Sequence, residues 1–297
     1  IWITRDRGGA NLGVQASTRP PGGAFGAPVD LPGAAATGDT LRLDVGPDGT
    51  TSAMWSRSTG VKVIQVSTRP PGGAFGAPVT ISVPDQDAFA DAIKTGEDGA
   101  TTAIWERLNS TNSVVQVSTR PRGGVFSPPV SLAADGQPTY GADLAVAPDG
   151  TTTATWARSN GSHYVVQGST RTPGGAFGTP VDLSASNRDS IPQGIAMAPD
   201  SSGVAVWYSD AGADSVVQAT FTANPPALRA APAITGPAAL GATIGCDGGL
   251  WTGAASVTTS WLRGAAETST GASHLVSSAD QGSSLVCKAR AANPFGN

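Results

Sequence analysis

The sequence predicts an all-β chain: a β-propeller of four-stranded blades of about 51 residues, then a smaller C-terminal β-sandwich. Two observations predict the first part. Trp2, Trp55, Trp105, Trp156 and Trp207 recur at a nearly constant interval, and Gln15, Gln65, Gln116, Gln167 and Gln218 recur at spacings of 50, 51, 51 and 51. A period this long marks one supersecondary unit repeated, each copy burying its faces on its neighbours. The composition agrees. Charged residues are 13%, while Gly (39) and Pro (23) are abundant, which suits short strands and tight turns.

One repeat shows the strands. Leu41-Arg42-Leu43-Asp44-Val45 alternates as a first strand, and Pro47-Asp48-Gly49 supplies a tight turn. Thr51–Ser56 reads as the second strand and Ser58-Thr59-Gly60 as the next turn. The β-branched run Val61–Ser67 is the third strand. Pro70-Pro71-Gly72-Gly73 turns the chain again, and a fourth strand is expected from Phe75 to Val79. The adjacent pairs Val63-Ile64 and Val114-Val115 put apolar residues on both faces, as a sheet covered on both sides requires. The recurrent Trp, and with it Phe25, Phe75, Phe126 and Phe177, are expected to fill the gaps between blades. A stacking platform for a sugar is the alternative use of such rings.

Three units are complete, at roughly 40–82, 90–132 and 141–183. Residues 1–31 supply the last three strands of an earlier unit, and 190–222 the first three of a later one. Ile1-Trp2 matches Ile104-Trp105, so the chain is expected to be a fragment or a mature product. Five blades close a small ring; a larger ring with further blades is the other option.

The repeat spans 1–222 and breaks at Asn224-Pro225-Pro226, within a Pro-rich linker at 223–232. Residues 233–297 carry the two cysteines, Cys246 and Cys287, with Trp261 between them. That order and spacing resembles an immunoglobulin-like sandwich of the kind that follows repeats in large secreted bacterial proteins. The resemblance implies a Cys246–Cys287 disulfide and a secreted or cell-surface setting. Leu285 departs from it, standing where a corner Tyr is common, and the chain stops at Asn293-Pro294-Phe295-Gly296, where a last strand is due.

Ser67-Thr68-Arg69-Pro70-Pro71-Gly72-Gly73-Ala74-Phe75 and its copies resemble degenerate Asp-box (BNR) repeats of sialidase-like propellers. The Gly and the aromatic agree; Arg and Pro stand in place of the Asp. The resemblance implies fold more than activity. Sialidase chemistry needs three arginines converging on a carboxylate, a Tyr–Glu pair and an acid. Arg57, Arg107 and Arg158 recur in Trp-x-Arg and form a conceivable anion-binding ring, although the same repetition suits a structural contact. Tyr140, Tyr164 and Tyr208 are the only tyrosines, and neither Glu97 nor Glu106 has an evident Tyr partner. Asp85, Asp87 and Asp91 read as one loop cluster, with Asp143 and Asp189 in equivalent regions; solvated loop carboxylates account for them. The sequence assigns no catalytic residue, metal ligand or cofactor. Its net charge of −4 lacks a basic patch, which argues against nucleic acid, and no apolar run is long enough to span a membrane as a helix.

The Pro-Asp-Gly and Pro-Gly-Gly turns hardly change between repeats. The inter-blade connections do: Pro32–Asp39, Pro84–Ala90, Ala133–Gly141 and Ser184–Gln193. So do the two-to-three turns Asp6–Asn11, Ser58–Gly60, Leu108–Ser113, Ser159–His163 and Asp210–Asp214. Both sets emerge on one face of such a fold, and binding residues sit on loops held by a rigid scaffold. The candidate binding residues are therefore Phe89, Tyr140, His163, Tyr164, Arg188, Asp189 and Tyr208. The leading expectation is a non-enzymatic adhesion or binding module for a glycan or an extracellular protein. A sialidase-like hydrolase and a structural spacer in an envelope protein are the alternatives.

Overall fold

The structure, a computed structural model, describes residues 1–292 apart from 6, 7, 9, 10, 21, 34–36, 59, 110, 111, 135, 199, 200, 211, 213, 223–226 and 253–255. The turns at 6–11, 58–60, 108–113 and 210–214, the connections at 32–39 and 133–141, the linker prolines and the chain end at 293–297 lie partly or wholly outside the described residues. The chain divides into two compact units, one of Ile1–Pro199 with Gly203–Phe221, the other of Thr222–Asn297 with Asp200–Ser202.

The first unit is five antiparallel sheets in succession. Sheet I holds β1 (Trp2–Arg5), β2 (Asn11–Ala16) and β3 (Val29–Asp30). Sheet II orders β4 (Thr37–Val45), β5 (Thr51–Ser58), β6 (Lys62–Arg69) and β7 (Val79–Thr80). Sheet III repeats this with β8 (Ala88–Thr95), β9 (Thr101–Asn109), β10 (Asn112–Arg120) and β11 (Val130–Ser131). Sheet IV does so with β12 (Thr139–Val146), β13 (Thr152–Ser159), β14 (Tyr164–Arg171) and β15 (Val181–Asp182). Sheet V has β16 (Ser190–Met197), β17 (Gly203–Asp210) and β18 (Ser215–Thr222). From sheet II onward, the first strand of each sheet packs beside the first strand of the next.

The repeated residues explain themselves locally. Asp48 accepts the Thr50 N–H at 2.8 Å, and Asp98 and Asp149 do the same for Ala100 and Thr151. Gly49, Gly99 and Gly150 take the positive φ these turns need. Ser17, Ser67, Ser118 and Ser169 each donate to a carbonyl nine residues on, at 2.6–2.7 Å, and so close the third turn. The landmark Gln ties strand three to strand four: Gln15 to Asp30, Gln65 to Thr80, Gln116 to Ser131 and Gln167 to Asp182. The fourth strand is shorter than expected. It begins at Val79 rather than Phe75 and lasts two residues, because Gly76 N–H bonds back to Thr68 and Phe75 leaves the strand for the core.

The core lies between sheets. Trp55 packs on Val14, Ala16 and Leu31 of sheet I. Trp105 packs on Met54, Ile64, Val66 and Ile81 of sheet II. Trp156 meets Val115, Val117 and Leu132 of sheet III, and Trp207 meets Val166 of sheet IV. A tryptophan of this kind buries roughly 150–250 Å², worth about 4–6 kcal/mol before conformational entropy is subtracted. Phe75 is buried, and Phe126 and Phe177 pack against the same cores, but Phe25 is 71% exposed and Trp2 39% exposed. These two do not fill a gap, since no described sheet covers their side of sheet I.

The second unit holds β19 (Ala227–Ala230), β20 (Ile234–Thr235), β21 (Thr243–Cys246), β22 (Leu250–Thr252), β23 (Ser256–Arg263), β24 (Ala266–Thr270), β25 (Ser273–Leu275) and β26 (Leu285–Ala292). β20-β21-β25 and β24-β23-β26 form two three-stranded antiparallel sheets, and β19 pairs with β22. Cys246 on β21 and Cys287 on β26 are joined by a disulfide, which links the two sheets beside the fully buried Trp261. Buried Asp280 organises the entry to β26. It accepts from Ser277 N–H at 2.8 Å and Arg263 Nη2 at 2.7 Å, and meets His274 Nε2 at 3.2 Å. These partners, led by the Ser277 N–H, hold its carboxyl far below the usual carboxylate range.

Candidate functional site

The varied loops between sheets III, IV and V bring four expected residues together. Tyr140, near the start of β12, and Tyr164, at the start of β14, meet edge to face with ring centroids 4.7 Å apart. Both rings stay half-exposed. Asp189, in the connection into β16, accepts the Tyr164 N–H at 2.7 Å, and its Oδ1 lies 3.8 Å from His163 Nδ1. Burial, then the neighbouring Tyr164 and Asp189, pushes the Tyr140 hydroxyl above its ordinary value. Part of this is repeat architecture, since Asp87 accepts the Lys62 N–H in the same way two repeats earlier.

Among the described residues, no ring contact or hydrogen bond joins Phe89, Arg188 or Tyr208 to that group. Phe89 stands on β8 with the Lys62 ammonium 4.6 Å from its ring centre. Arg188 flanks Asp189, and Tyr208 is 47% exposed on β17. The recurrent arginines are tethered at repeat spacing. Arg107 donates to Gln86, and Arg158 donates to Gln137 at 2.6 Å, each glutamine lying in the connection that enters the arginine's own sheet. Arg158 also reaches Asp182 at 3.5 Å. Arg57, on β5, is half-buried, and its Nε has no hydrogen-bond partner.

Beside the tyrosines lies a second group of carboxylates, Asp91, Glu106 and Asp143, of which the two aspartates are expected from the sequence to be solvated loop residues. Asp91 is not in a loop. It is the extra residue of a β-bulge on β8, between Ala90 and Ala92, and Asp143 sits where the matching bulge of β12 ends. Bulges re-aim side chains that regular pleating would send elsewhere. Arg42, on β4, donates from Nε to the Asp91 carbonyl. Glu106, on β9, accepts the Gly141 N–H at 2.7 Å and so links this group to the strand that carries Tyr140. Burial, and then the Glu106 charge, pushes the Asp91 carboxyl up to about 8, against a smaller opposing effect of Arg42. Glu106 is also raised by burial, partly offset by the Gly141 N–H. Asp91 Oδ2 is buried without a hydrogen-bond partner. An acid that stays protonated at neutral pH beside further carboxylates is able to donate a proton. The signal was present in the sequence: a lone Asp interrupts the small and apolar run Ala88-Phe89-Ala90-Asp91-Ala92-Ile93.

Two grooves open elsewhere, along the uniform turns. One of about 710 Å³ is lined by Val117, Thr119, Val130, Arg171 and Phe177. Another of about 540 Å³ is lined by the residues 51 positions earlier, including Val66, Thr68, Val79, Arg120 and Phe126. They are one repeated feature, and in each the lining arginine bonds across to the preceding sheet, Arg120 to Thr68 and Arg171 to Thr102. Among the described residues, no group of three or more His, Cys, Asp or Glu side chains is placed to hold a metal ion.

No protein-family model matches the chain. No curated protein matches it by sequence. It is similar in structure to an endo-arabinase from Bacteroides thetaiotaomicron, with 11% identity over 60% of this chain and 72% of that one, at a TM-score of 0.37. A protein of unknown function from Dyadobacter fermentans has 10% identity over 74% of this chain and 66% of that one, at a TM-score of 0.47. A polysaccharide lyase of family PL25, an ulvan lyase, has 12% identity over 96% of this chain and 73% of that one, at a TM-score of 0.46. Likeness at this level says nothing of what this chain binds or does.

Proposed function

We propose that sheets I to V are blades of a β-propeller, that the second unit is an immunoglobulin-like sandwich, and that the whole is a secreted or cell-surface module that binds glycans without turning them over. The domain limits we assign are 1–222, a linker at 223–232, and 233–297. The consecutive sheets with adjoining first strands support the propeller. The two three-stranded sheets bridged by a disulfide beside a buried Trp support the sandwich. The disulfide favours an oxidising compartment. No described helix is long and apolar enough to cross a membrane.

The observation that carries the binding role is the half-exposed Tyr140–Tyr164 pair, flanked by Asp189 and His163 and adjoining Glu106. Aromatic faces stack on the C–H face of a pyranose, and carboxylates and imidazole accept or donate to its hydroxyls. The test is a glycan array probed with the full chain and with Tyr140→Ala and Tyr164→Ala. Binding that falls at least about tenfold in both, with folding unchanged, fits a loss of roughly 1.4 kcal/mol per ring. Binding indifferent to both substitutions removes the site.

A second reading rests on Asp91. A carboxylic acid held protonated near Glu106 and Asp143 is the acid half of glycosidase chemistry. A fluorogenic glycoside panel, including a sialoside, run on the same sample discriminates the two. Turnover abolished by Asp91→Asn replaces the non-enzymatic reading.

A further inference from the structure

The two grooves along the uniform turns adjoin. Ser127 lines both, and the segment that follows it borders each of them, Pro128 and Pro129 on the smaller and Val130 on the larger. Each groove holds an arginine beside a phenylalanine. The Arg120 guanidinium lies 5.4 Å from the Phe126 ring centre, and that of Arg171 lies 6.0 Å from Phe177.

Both cations lack a paired anion. Their hydrogen bonds go to hydroxyls: Arg120 to Thr68 at 2.7 Å and Thr101 at 3.0 Å, Arg171 to Thr152 at 3.1 Å and Thr102 at 3.4 Å. Among the described residues, neither has a carboxylate at ion-pair distance. Asp48 and Asp98 act on them only from further off, and Asp48 is itself paired with Arg122 at 3.5 Å. Arg171 is only 6% exposed, and both of its bonds leave from Nη2, so among the described residues Nη1 donates to none. A cation so far out of water without a counter-charge is costly, and an oxyanion entering the groove removes that cost.

We infer that the paired grooves bind an acidic polysaccharide, one acidic sugar on Arg120 and another on Arg171. The guanidinium fork takes a carboxylate or sulfate through two oxygens at once. Two like-lined grooves side by side suit a polymer whose acid recurs along the chain. A peptide strand has no edge to extend here. The fourth strands Val79–Thr80 and Val130–Ser131 last two residues, and Pro128, Pro129 and Pro180 offer no N–H. A sugar needs no such ladder and finds the Phe126 and Phe177 rings and the Ser127 hydroxyl. The whole chain carries a net charge of −4, so capture of a polyanion requires a built site of this kind rather than a general attraction. The site is separate from the Tyr140–Tyr164 pair, and the inference does not rest on that reading.

Calorimetric titration of the full chain with polygalacturonate, dextran sulfate and neutral dextran tests it. The expected result is binding of at least one acidic polymer, weakened by salt, and none of dextran; the polymer preferred tells whether the acid is a carboxylate or a sulfate. Arg171→Gln should weaken binding at least about tenfold, a loss of roughly 1.4 kcal/mol. Because that change also removes the bonds to Thr102 and Thr152, two further variants keep the arginines. Val125→Glu and Ala176→Glu each place a carboxylate at an exposed position of one groove, and both should fold and bind at least about tenfold more weakly. Ile191→Glu adds the same charge at an exposed position outside both grooves and should bind as wild type does. Failure to bind either acidic polymer overturns the inference, as does equal binding of dextran. Binding that survives in both groove variants, or that Ile191→Glu weakens as much, overturns it too. Polyglutamate bound more tightly than either polysaccharide, with the same sensitivity to the groove variants, reassigns the grooves to acidic proteins and overturns the polysaccharide.

Discussion

Replacing Asp91 by Asn keeps the shape of the side chain and removes its titration. Burial and the Glu106 charge raise this carboxyl from 3.8 to about 8, an interval of about four pKa units. At 1.36 kcal/mol per unit the ceiling is about 6 kcal/mol, reached only above pH 8. Asp91 keeps part of its surface in water, and screening there reduces the net effect to about 1–3 kcal/mol. The sign follows from linkage. The folded state holds the proton more tightly than the unfolded state, so wild-type stability is fully present below the unfolded value near 4 and declines as pH rises through about 8. Asp91→Asn escapes that decline. Thermal unfolding followed by tryptophan fluorescence from pH 4 to pH 9 reads the difference directly, since every other carboxylate is common to both proteins. The curves should meet near pH 4, and the variant should be the more stable by pH 8. Parallel curves over the whole range would refute the account of this carboxyl as held protonated by burial and the Glu106 charge, and with it the acid in the second functional reading.

Three other outcomes follow from the packing. Trp156→Ala empties a fully buried site and should destabilise the first unit by about 3–5 kcal/mol, whereas Trp2→Ala in the full chain at low concentration should change stability by under about 1 kcal/mol; denaturant titrations of both variants measure the contrast. Asp280→Asn should lower the melting temperature of the second unit at neutral pH. Because the folded Asp280 value is depressed, its contribution is present above pH 4 and fades as pH falls below it, so the gap between variant and wild type should close in acid; a gap independent of pH counts against the Arg263, His274 and Ser277 contacts as its source. Reducing Cys246–Cys287 should destabilise the second unit by about 2–5 kcal/mol and leave unfolding of the first unchanged, as calorimetry with and without reductant would show.

The first three strands of each repeat, their order and the turns between them are legible in the sequence to within a few residues, because those features depend on neighbours a few positions away. The Pro-Asp-Gly turns and the Ser of Ser-Thr-Arg make their hydrogen bonds within about nine residues, so the repeat reports them directly, whereas the Arg of that segment bonds across to more distant strands. The landmark Gln was visible as a marker, and its bond across to the short fourth strand gives the reason it recurs. The fourth strand itself was overextended, since nothing in Phe75 to Val79 announces that Phe75 turns inward to the core.

What the sequence by itself determined is the unit: an antiparallel sheet of about fifty residues with apolar faces on both sides and a repeated tryptophan for its neighbour. Only the tertiary structure decided what those units bring together. Asp91, Glu106 and Asp143 come from three strands of two sheets, and Arg42 from a third sheet, with the bulges deciding where the chain departs from regular pleating. Burial then sets their protonation, a property of the surrounding atoms and not of the residue type. Tyr140 and Tyr164 lie on β12 and β14, which are not neighbours in their sheet, and meet because their ends converge at the loop face.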